Sequence, residues 1–351
     1  MNALPLYVSI LFFCVFTSCK KKDETKPDKD VTTGLHVKDG QYLADKCGNK
    51  IVLHGVNMGS VYAVNFGLKE LEEIEKTGAN TVRIILTQNY QDWQNGGKLT
   101  IVTGAKIEPI ITSCLAKGMI PVLELHDFTG TTNVTNDLPK AIQWWTKPDV
   151  KSVLLKYQQS IIVNIANEPD NGAASDVTYR DANLTAIKNL RDAGYTCPIM
   201  IDAPYYGKDY VFFLYQGKAL IDADPLHNLL FSVHAYWPTN GAFENYSDVK
   251  IRDNFKALKQ SGLPIVLGEL AAADIQNGLA YNINYRLLMK LCQENQFGYL
   301  AWWWGFYNNP DANNQLSMTN DGLYSGLQGA GFVIAYDDVN SISHTSKRAC
   351  K

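Results

Sequence analysis

The sequence predicts an α/β protein built as a single (β/α)8 barrel, the TIM-barrel architecture. Three observations predict it: eight short apolar runs, helical spacing between them, and polar residues gathered at the carboxyl ends of the runs. The runs occupy residues 52–57, 81–86, 120–125, 161–166, 199–203, 229–236, 264–270 and 299–304. They are apolar on both alternating faces, which suits strands buried between two layers. Segments 68–77, 107–117, 177–193, 251–260 and 281–294 carry helical spacing. In the first of them Leu68, Leu71, Ile74 and the later Ala79 fall near one face, with Glu70, Glu72, Glu73 and Lys76 mostly elsewhere. Apolar strands alternating with helices need a parallel sheet covered by those helices, and eight such units close a barrel.

Ahead of the first run, the turn signals Asp39-Gly40 and Cys47-Gly48-Asn49 predict short hairpins. No motif repeats at a short period, and no Pro-, Gly- or Ser-rich linker divides the chain after residue 34, so residues 34–351 read as one domain. After Trp304, Asn308-Asn309-Pro310 and several glycines predict a long loop followed by a final helix or tail. With 46% of its 351 residues hydrophobic, the chain has material for one large core. Its net charge of −3 supplies no basic field for nucleic acid or an anionic membrane, and leaves a neutral substrate unopposed.

Residues 1–18 are almost entirely apolar or small and are followed at once by Lys20-Lys21-Lys22, which reads as a targeting segment too short to span a membrane. Phe16-Thr17-Ser18-Cys19 resembles the lipobox of bacterial lipoproteins, implying a signal peptide over 1–18 and lipidation of Cys19. Residues 19–33 are charged, lack aromatics and contain Pro27, so they form a flexible tether. The resemblance implies an exported protein, lipid-anchored to the bacterial cell envelope at the outer membrane or cell surface; ordinary secretion is the alternative. The anchor is then the expected membrane contact, and the barrel is expected to be a monomer.

Cys47, Cys114, Cys197, Cys292 and Cys350 are scattered and show no CxxC or His-rich spacing, which argues against a zinc site and a dense disulfide framework. One disulfide using Cys350 stays open, while Cys114 and Cys292 read as buried small apolar residues.

In such a barrel the catalytic groups sit at the carboxyl ends of the strands, where the loops converge on one mouth. Asn57 ends the first run, Arg83 lies in the second, and His126-Asp127 follow the third. Asn167-Glu168 follow the fourth, His234 and Tyr236 lie in the sixth, Glu269 is near the end of the seventh, and Trp302 and Trp304 lie in the eighth. A carboxylate set after several apolar residues must find partners or keep its proton. Two of them, Glu168 and Glu269, suit glycoside hydrolysis, where one carboxyl group protonates the leaving oxygen while the other attacks the anomeric carbon. Arg83 near such a nucleophile would hold it ionised. His234 and Tyr236, two apart, share a strand face; so do Trp302 and Trp304, and an indole covers the apolar side of a sugar ring. Glu124 reads as a structural partner below His126, Asp127 as a loop residue, and Trp144-Trp145 as packing. Trp93, Tyr205-Tyr206 and Trp237 read equally as sugar platforms or as covers for the rim.

At these residues the chain resembles glycoside hydrolase family 5, the cellulase/mannanase family, and within it the bacterial endo-β-1,4-mannanases. The resemblance is carried by Thr81-Val82-Arg83-Ile84, Leu123-Glu124-Leu125-His126-Asp127 and Val163-Asn164-Ile165-Ala166-Asn167-Glu168. It continues through Phe231-Ser232-Val233-His234-Ala235-Tyr236, Leu267-Gly268-Glu269 and Leu300-Ala301-Trp302-Trp303-Trp304. It implies a retaining endo-glycoside hydrolase that cleaves β-1,4-linked polysaccharide, β-mannan foremost, by a two-glutamate double displacement. Glu168 would be the acid/base and Glu269 the nucleophile, with carboxyl groups about 5 to 5.5 Å apart. Asn167 would bind the 2-hydroxyl, Arg83 and Tyr236 would orient Glu269, His126 and His234 would line the reacting subsite, and Trp302 would stack on its sugar. No metal or organic cofactor is implied. The chain departs from the bacterial mannanases at Pro169, Leu270 and Trp303, positions read as sugar-contacting. An endo-β-1,4-glucanase (cellulase) of the same family is the alternative substrate reading. A surface glycan-binding lipoprotein without turnover is the alternative of another class, and the presence of both glutamates with Asn167, Arg83 and Tyr236 argues against it.

Overall fold

The computed structural model describes Met1 and residues 34–92, 96–305 and 316–350; the leader, Cys19, the tether and Trp93 lie outside the described residues. Eight parallel strands form a closed barrel: β1 (His54–Met58), β2 (Thr81–Leu86), β3 (Ile120–Leu125), β4 (Ile162–Asn164), β5 (Ile199–Asp202), β6 (Leu229–His234), β7 (Ile265–Leu270) and β8 (Gly298–Ala301). Neighbours in sequence are neighbours in the barrel, and β8 pairs back onto β1. Each apolar run of the sequence supplies one strand.

The longer helices are α1 (Leu68–Glu75), α2 (Gly104–Ala116), α3 (Val134–Trp145), α4 (Pro148–Tyr157), α5 (Asp176–Asp192), α6 (Tyr210–Ala223), α7 (Asp248–Ser261) and α8 (Tyr285–Asn295), and single turns at Gly329–Phe332 and Ile342–Thr345 follow in the tail. Ser175, Ser247 and Asn284 accept backbone N–H bonds that open α5, α7 and α8. Helical spacing did not reveal α4 and α6. In α6, Phe212, Phe213, Gly217, Leu220 and Ile221 are all buried, so the contrast between faces is weak. The start expected for α8 at residue 281 is corrected to Tyr285: Leu279–Asn282 pairs antiparallel with Ala273–Gln276 in a hairpin at the mouth.

Layers inside the barrel separate its stability from its chemistry. The lower interior is apolar, filled by Val122, Ile162, Met200, Leu230, Val266 and Leu300, with Val37 and Leu43 of the antiparallel hairpin His36–Lys38/Tyr42–Ala44 packed beneath. The tail closes the same end. Thr345 Oγ1 lies 3.0 Å from His54 Nδ1, Asn80 Nδ2 donates to the Lys347 carbonyl at 2.8 Å, and Cys350 forms a disulfide with Cys47. Cys114, Cys197 and Cys292 are buried free thiols.

Above the apolar layer the interior becomes polar, with Asn57, Arg83, Glu124, Asn164, Asp202 and Ser232 all fully or almost fully buried. Strict alternation along β7 would turn Glu269 outward, because Val266 faces inward and Leu267 packs among the helices. The pairing shifts there, so that Val233 opposes Leu267 but His234 opposes Glu269, and this bulge at Gly268 aims the carboxylate into the barrel. A Cβ at Gly268 would stand 2.1 Å from Ser232 Oγ, so the bulge admits only glycine.

Candidate active site

Arg83 is the hub of the polar layer. Its Nη1 donates to Glu269 Oε1 and Asn57 Oδ1, each at 3.0 Å, and its Nε donates to Asn164 Oδ1 at 2.9 Å. Its Nη2 donates to Asn167 Oδ1 at 2.7 Å and Asp202 Oδ2 at 3.2 Å. Burial opposes the guanidinium charge, but Glu124, Asp202 and Glu269 together hold its pKa above the usual value.

Glu269 also accepts from Tyr236 OH at 2.6 Å through its other oxygen. Burial raises its pKa, the His234 charge opposes, and the nearby Glu168 charge adds to the rise. Glu168 stands on the other side, its Oε1 2.6 Å from His234 Nδ1. One ligand-capable atom each of Glu168, His234 and Glu269 falls within 4.8 Å of the others. Burial works against the His234 cation, yet Glu269, Asp202 and Glu168 push its pKa up to about 9. His234 Nδ1 lies between the two glutamates, 2.6 Å from Glu168 Oε1 and 3.6 Å from Glu269 Oε1, so the trio can share protons. Asp45, Cys47 and Cys350 also cluster, but their cysteines are spent in the disulfide.

The cleft over these groups has about 540 Å³ of free volume, within the range of small-molecule sites. His126, Asn167, Glu168, Tyr236, Glu269 and Trp302 line it. The rings of His126 and Trp302 stack at 5.9 Å, and His126 Nδ1 lies 2.9 Å from Glu124 Oε1. Burial disfavours the His126 cation, but the charge and hydrogen bond of Glu124 raise its pKa overall.

Two expectations change. Trp304 is fully buried and its indole N–H donates to the Gly322 carbonyl at 3.0 Å, so it offers no face to a sugar. Regular strand geometry ends at Ala301, and the two-residue period does not extend to Trp304. His234 is also fully buried; it lies beneath the cleft and meets the carboxylates from below, while Arg83, equally buried, meets Glu269 directly. Among the departures from the family, Pro169 and Leu270 are buried, while Trp303 is half-buried and stacks on Trp302 at 5.5 Å. Trp144, Trp145 and Trp237 are buried as packing, and Asp127 accepts the Gln88 N–H in a loop.

Sequence reasoning missed Asp202. Its Oδ2 accepts the Glu168 backbone N–H at 3.1 Å and lies 3.4 Å from His234 Nε2, and its Oδ1 accepts Asn164 Nδ2 at 3.1 Å. The available signal was one acidic residue closing an otherwise apolar strand.

Two glutamates, an arginine, a tyrosine and a tryptophan thus stand on, or just beyond, separate strands of a parallel barrel. Residues 45–308 match the family described as Cellulase (glycosyl hydrolase family 5). The chain belongs to glycosyl hydrolase family 5. Among family 5 relatives, a mannan endo-1,4-beta-mannosidase of Streptomyces lividans is 32% identical over 90% of this chain and 77% of its own length. One of Cellvibrio japonicus is 30% identical over 91% of this chain and 69% of its own. The catalytic domain of a mannanase from Streptomyces sp. SirexAA-E superposes with a TM-score of 0.76 at 28% identity, covering 98% of both chains. The protein is a glycoside hydrolase with the barrel of that family.

Proposed function

We propose that this enzyme is a retaining endo-β-1,4-mannanase in which Glu269 is the nucleophile and Glu168 the acid/base. The observation that carries the reading is the facing pair: oxygens of the two carboxyl groups within 4.8 Å, across a cleft with room for a sugar. That spacing suits direct attack, since an inverting pair stands about 6.5 to 9.5 Å apart to admit a water.

Hydrogen bonding divides the roles. Glu269 accepts from Arg83 and Tyr236, which favour a carboxylate, and so it suits the nucleophile. Among the described residues, the carboxyl group of Glu168 meets the ring of His234. Glu124, Glu168, Asp202 and Glu269 crowd around Arg83, His126 and His234, and carboxyl groups packed this closely favour a proton held among them. On Glu168 that proton is delivered to the leaving oxygen as Glu269 attacks; Glu168 then takes a proton from the water that releases the sugar. Asn167, anchored to Arg83 and to Thr129 Oγ1 at 2.9 Å, is placed to bind the 2-hydroxyl, and Trp302 to cover the sugar's apolar face.

Mannan is favoured over glucan because these relatives are mannan endo-1,4-beta-mannosidases, and a β-mannanase from Streptomyces thermolilacinus solved with mannohexaose has a TM-score of 0.74 at 29% identity. Reducing-end release on mannan, glucomannan and carboxymethylcellulose tests the reading. Cleavage of mannan is expected; activity on carboxymethylcellulose alone would make the enzyme a glucanase, and binding without hydrolysis a glycan-binding protein.

A further inference from the structure

The loop after β5 is held in a conformation that its residues do not prefer. Tyr205, Tyr206 and Gly207 have φ of 54°, 54° and 72° in succession. Left-handed backbone is disfavoured for residues with side chains, so two adjacent tyrosines there must be fixed by their surroundings. Buried Asp170 fixes them. Its Oδ2 accepts from Tyr205 N at 3.3 Å and Gly172 N at 2.8 Å, its Oδ1 from Ala174 N at 3.1 Å, and its carbonyl from Tyr206 N at 2.8 Å.

The rings rest on space that glycines leave empty. A Cβ at Gly130 would stand 2.5 Å from Tyr206 Cε1, and one at Gly172 would stand 2.8 Å from Tyr205 Cδ2. After all this support the two residues are still 42% and 41% exposed, ring edge to ring face at 6.1 Å, and both line the cleft beside Glu168. Aromatic residues that serve packing are buried by it; these are braced and left in water.

Their side of the cleft follows from connectivity. Gly130, under the Tyr206 ring, donates its N–H to the Glu168 carbonyl at 2.8 Å, so the platform is continuous with the backbone of the proposed acid. Trp302, stacked on His126, follows β8, and β6 and β7 lie between β8 and the β5 whose loop carries the tyrosines. The acid must reach the leaving oxygen, so a ring surface contiguous with Glu168 and away from Trp302 meets the sugar that departs.

We propose that Tyr205 and Tyr206 form the platform for the sugar on the leaving-group side of the scissile bond. This rests on the roles given above to Glu168 and Glu269. The test compares two substrates, mannohexaose, whose leaving group is a saccharide, and β-mannobiosyl fluoride, whose leaving group is one atom. In Tyr205→Ala and Tyr206→Ala the ratio of kcat/KM for the hexaose to that for the fluoride is expected to fall about ten-fold. Tyr205→Phe and Tyr206→Phe, which keep the ring face, are expected to restore it. An unmoved ratio in the Ala variants, including equal losses on both substrates, overturns the platform while leaving the mannanase reading intact. A wild-type enzyme that cleaves neither substrate overturns that reading, and the platform with it.

Discussion

The backbone N–H of Glu168 donates to Asp202 Oδ2 at 3.1 Å, and the same oxygen accepts from Arg83 Nη2 at 3.2 Å. One buried carboxylate thus fixes the proposed acid at a residue with φ of 41° and also neutralises the hub that holds Glu269. Asp202→Asn leaves Arg83 and His234 with one anion fewer. Removing one partner from a buried pair costs about 3 to 5 kcal/mol, and an isosteric amide should sit at the low end. Denaturant melts are expected to show that loss. The alkaline limb of the pH–rate profile is expected to move toward lower pH as His234 loses a stabilising charge; Glu168 and Glu269 remain beside it.

Tyr236→Phe removes only the 2.6 Å bond to Glu269 Oε2. A hydrogen bond to a charged group contributes about 1.5 to 3 kcal/mol, so kcat should fall by roughly ten- to a hundred-fold with the fold kept. Steady-state kinetics beside circular dichroism checks both; an unchanged kcat would remove Tyr236 from the support of the nucleophile.

The two glutamates should separate on an activated aryl glycoside. Glu269→Ala is expected to be nearly inactive on every substrate. Glu168→Ala should keep its first step on the aryl substrate, whose leaving group needs no proton, while losing polysaccharide cleavage. Burst kinetics reads the difference, and equal inactivity of two folded variants would reverse the role assignment.

Stability should decline on both sides of a plateau near pH 6.5. His234 is raised from 6.5 to about 9, so its contribution is complete below pH 6.5 and is lost as pH rises through 9. His54 is lowered by burial from 6.5 to about 4, so its contribution is present above pH 6.5 and is lost as pH falls toward 4. Each is worth on the order of 3 kcal/mol. Thermal melts from pH 4 to 9 should show both slopes, and His54→Gln should flatten the acid one.

Cys350→Ser opens a loop that spans a sequence separation of 303. The expected loss is about 2 to 4 kcal/mol, read as a lower melting temperature, with activity at moderate temperature retained because the mouth is at the opposite end. A matching fall in the wild type under reductant would assign the effect to the bond itself.

The barrel was legible because each strand is an apolar run and the ends of those runs carry the site. Arg83 was readable as a support for Glu269 from its charge within an apolar strand, whereas Tyr236, which lies beyond the end of β6, was readable as one only through the resemblance to the family. The hairpins over the mouth were not legible: Asn89–Asp92 and Lys98–Ile101 have largely solvated side chains, and Leu279–Asn282 continues without a break into the spacing of α8. Trp304 was misplaced because a period of two says nothing about a chain that has left its strand. Asp202 went unnoticed because its role depends on contacts from three other strands, which no local pattern records.

The extra residue at Gly268 makes the path of β7 an unforgiving quantity. Loops around the rim can lengthen or shorten while their anchors stay put. Straightening that bulge with every residue kept would instead restore strict alternation, swing Glu269 toward the surrounding helices, and leave an empty place where the nucleophile belongs.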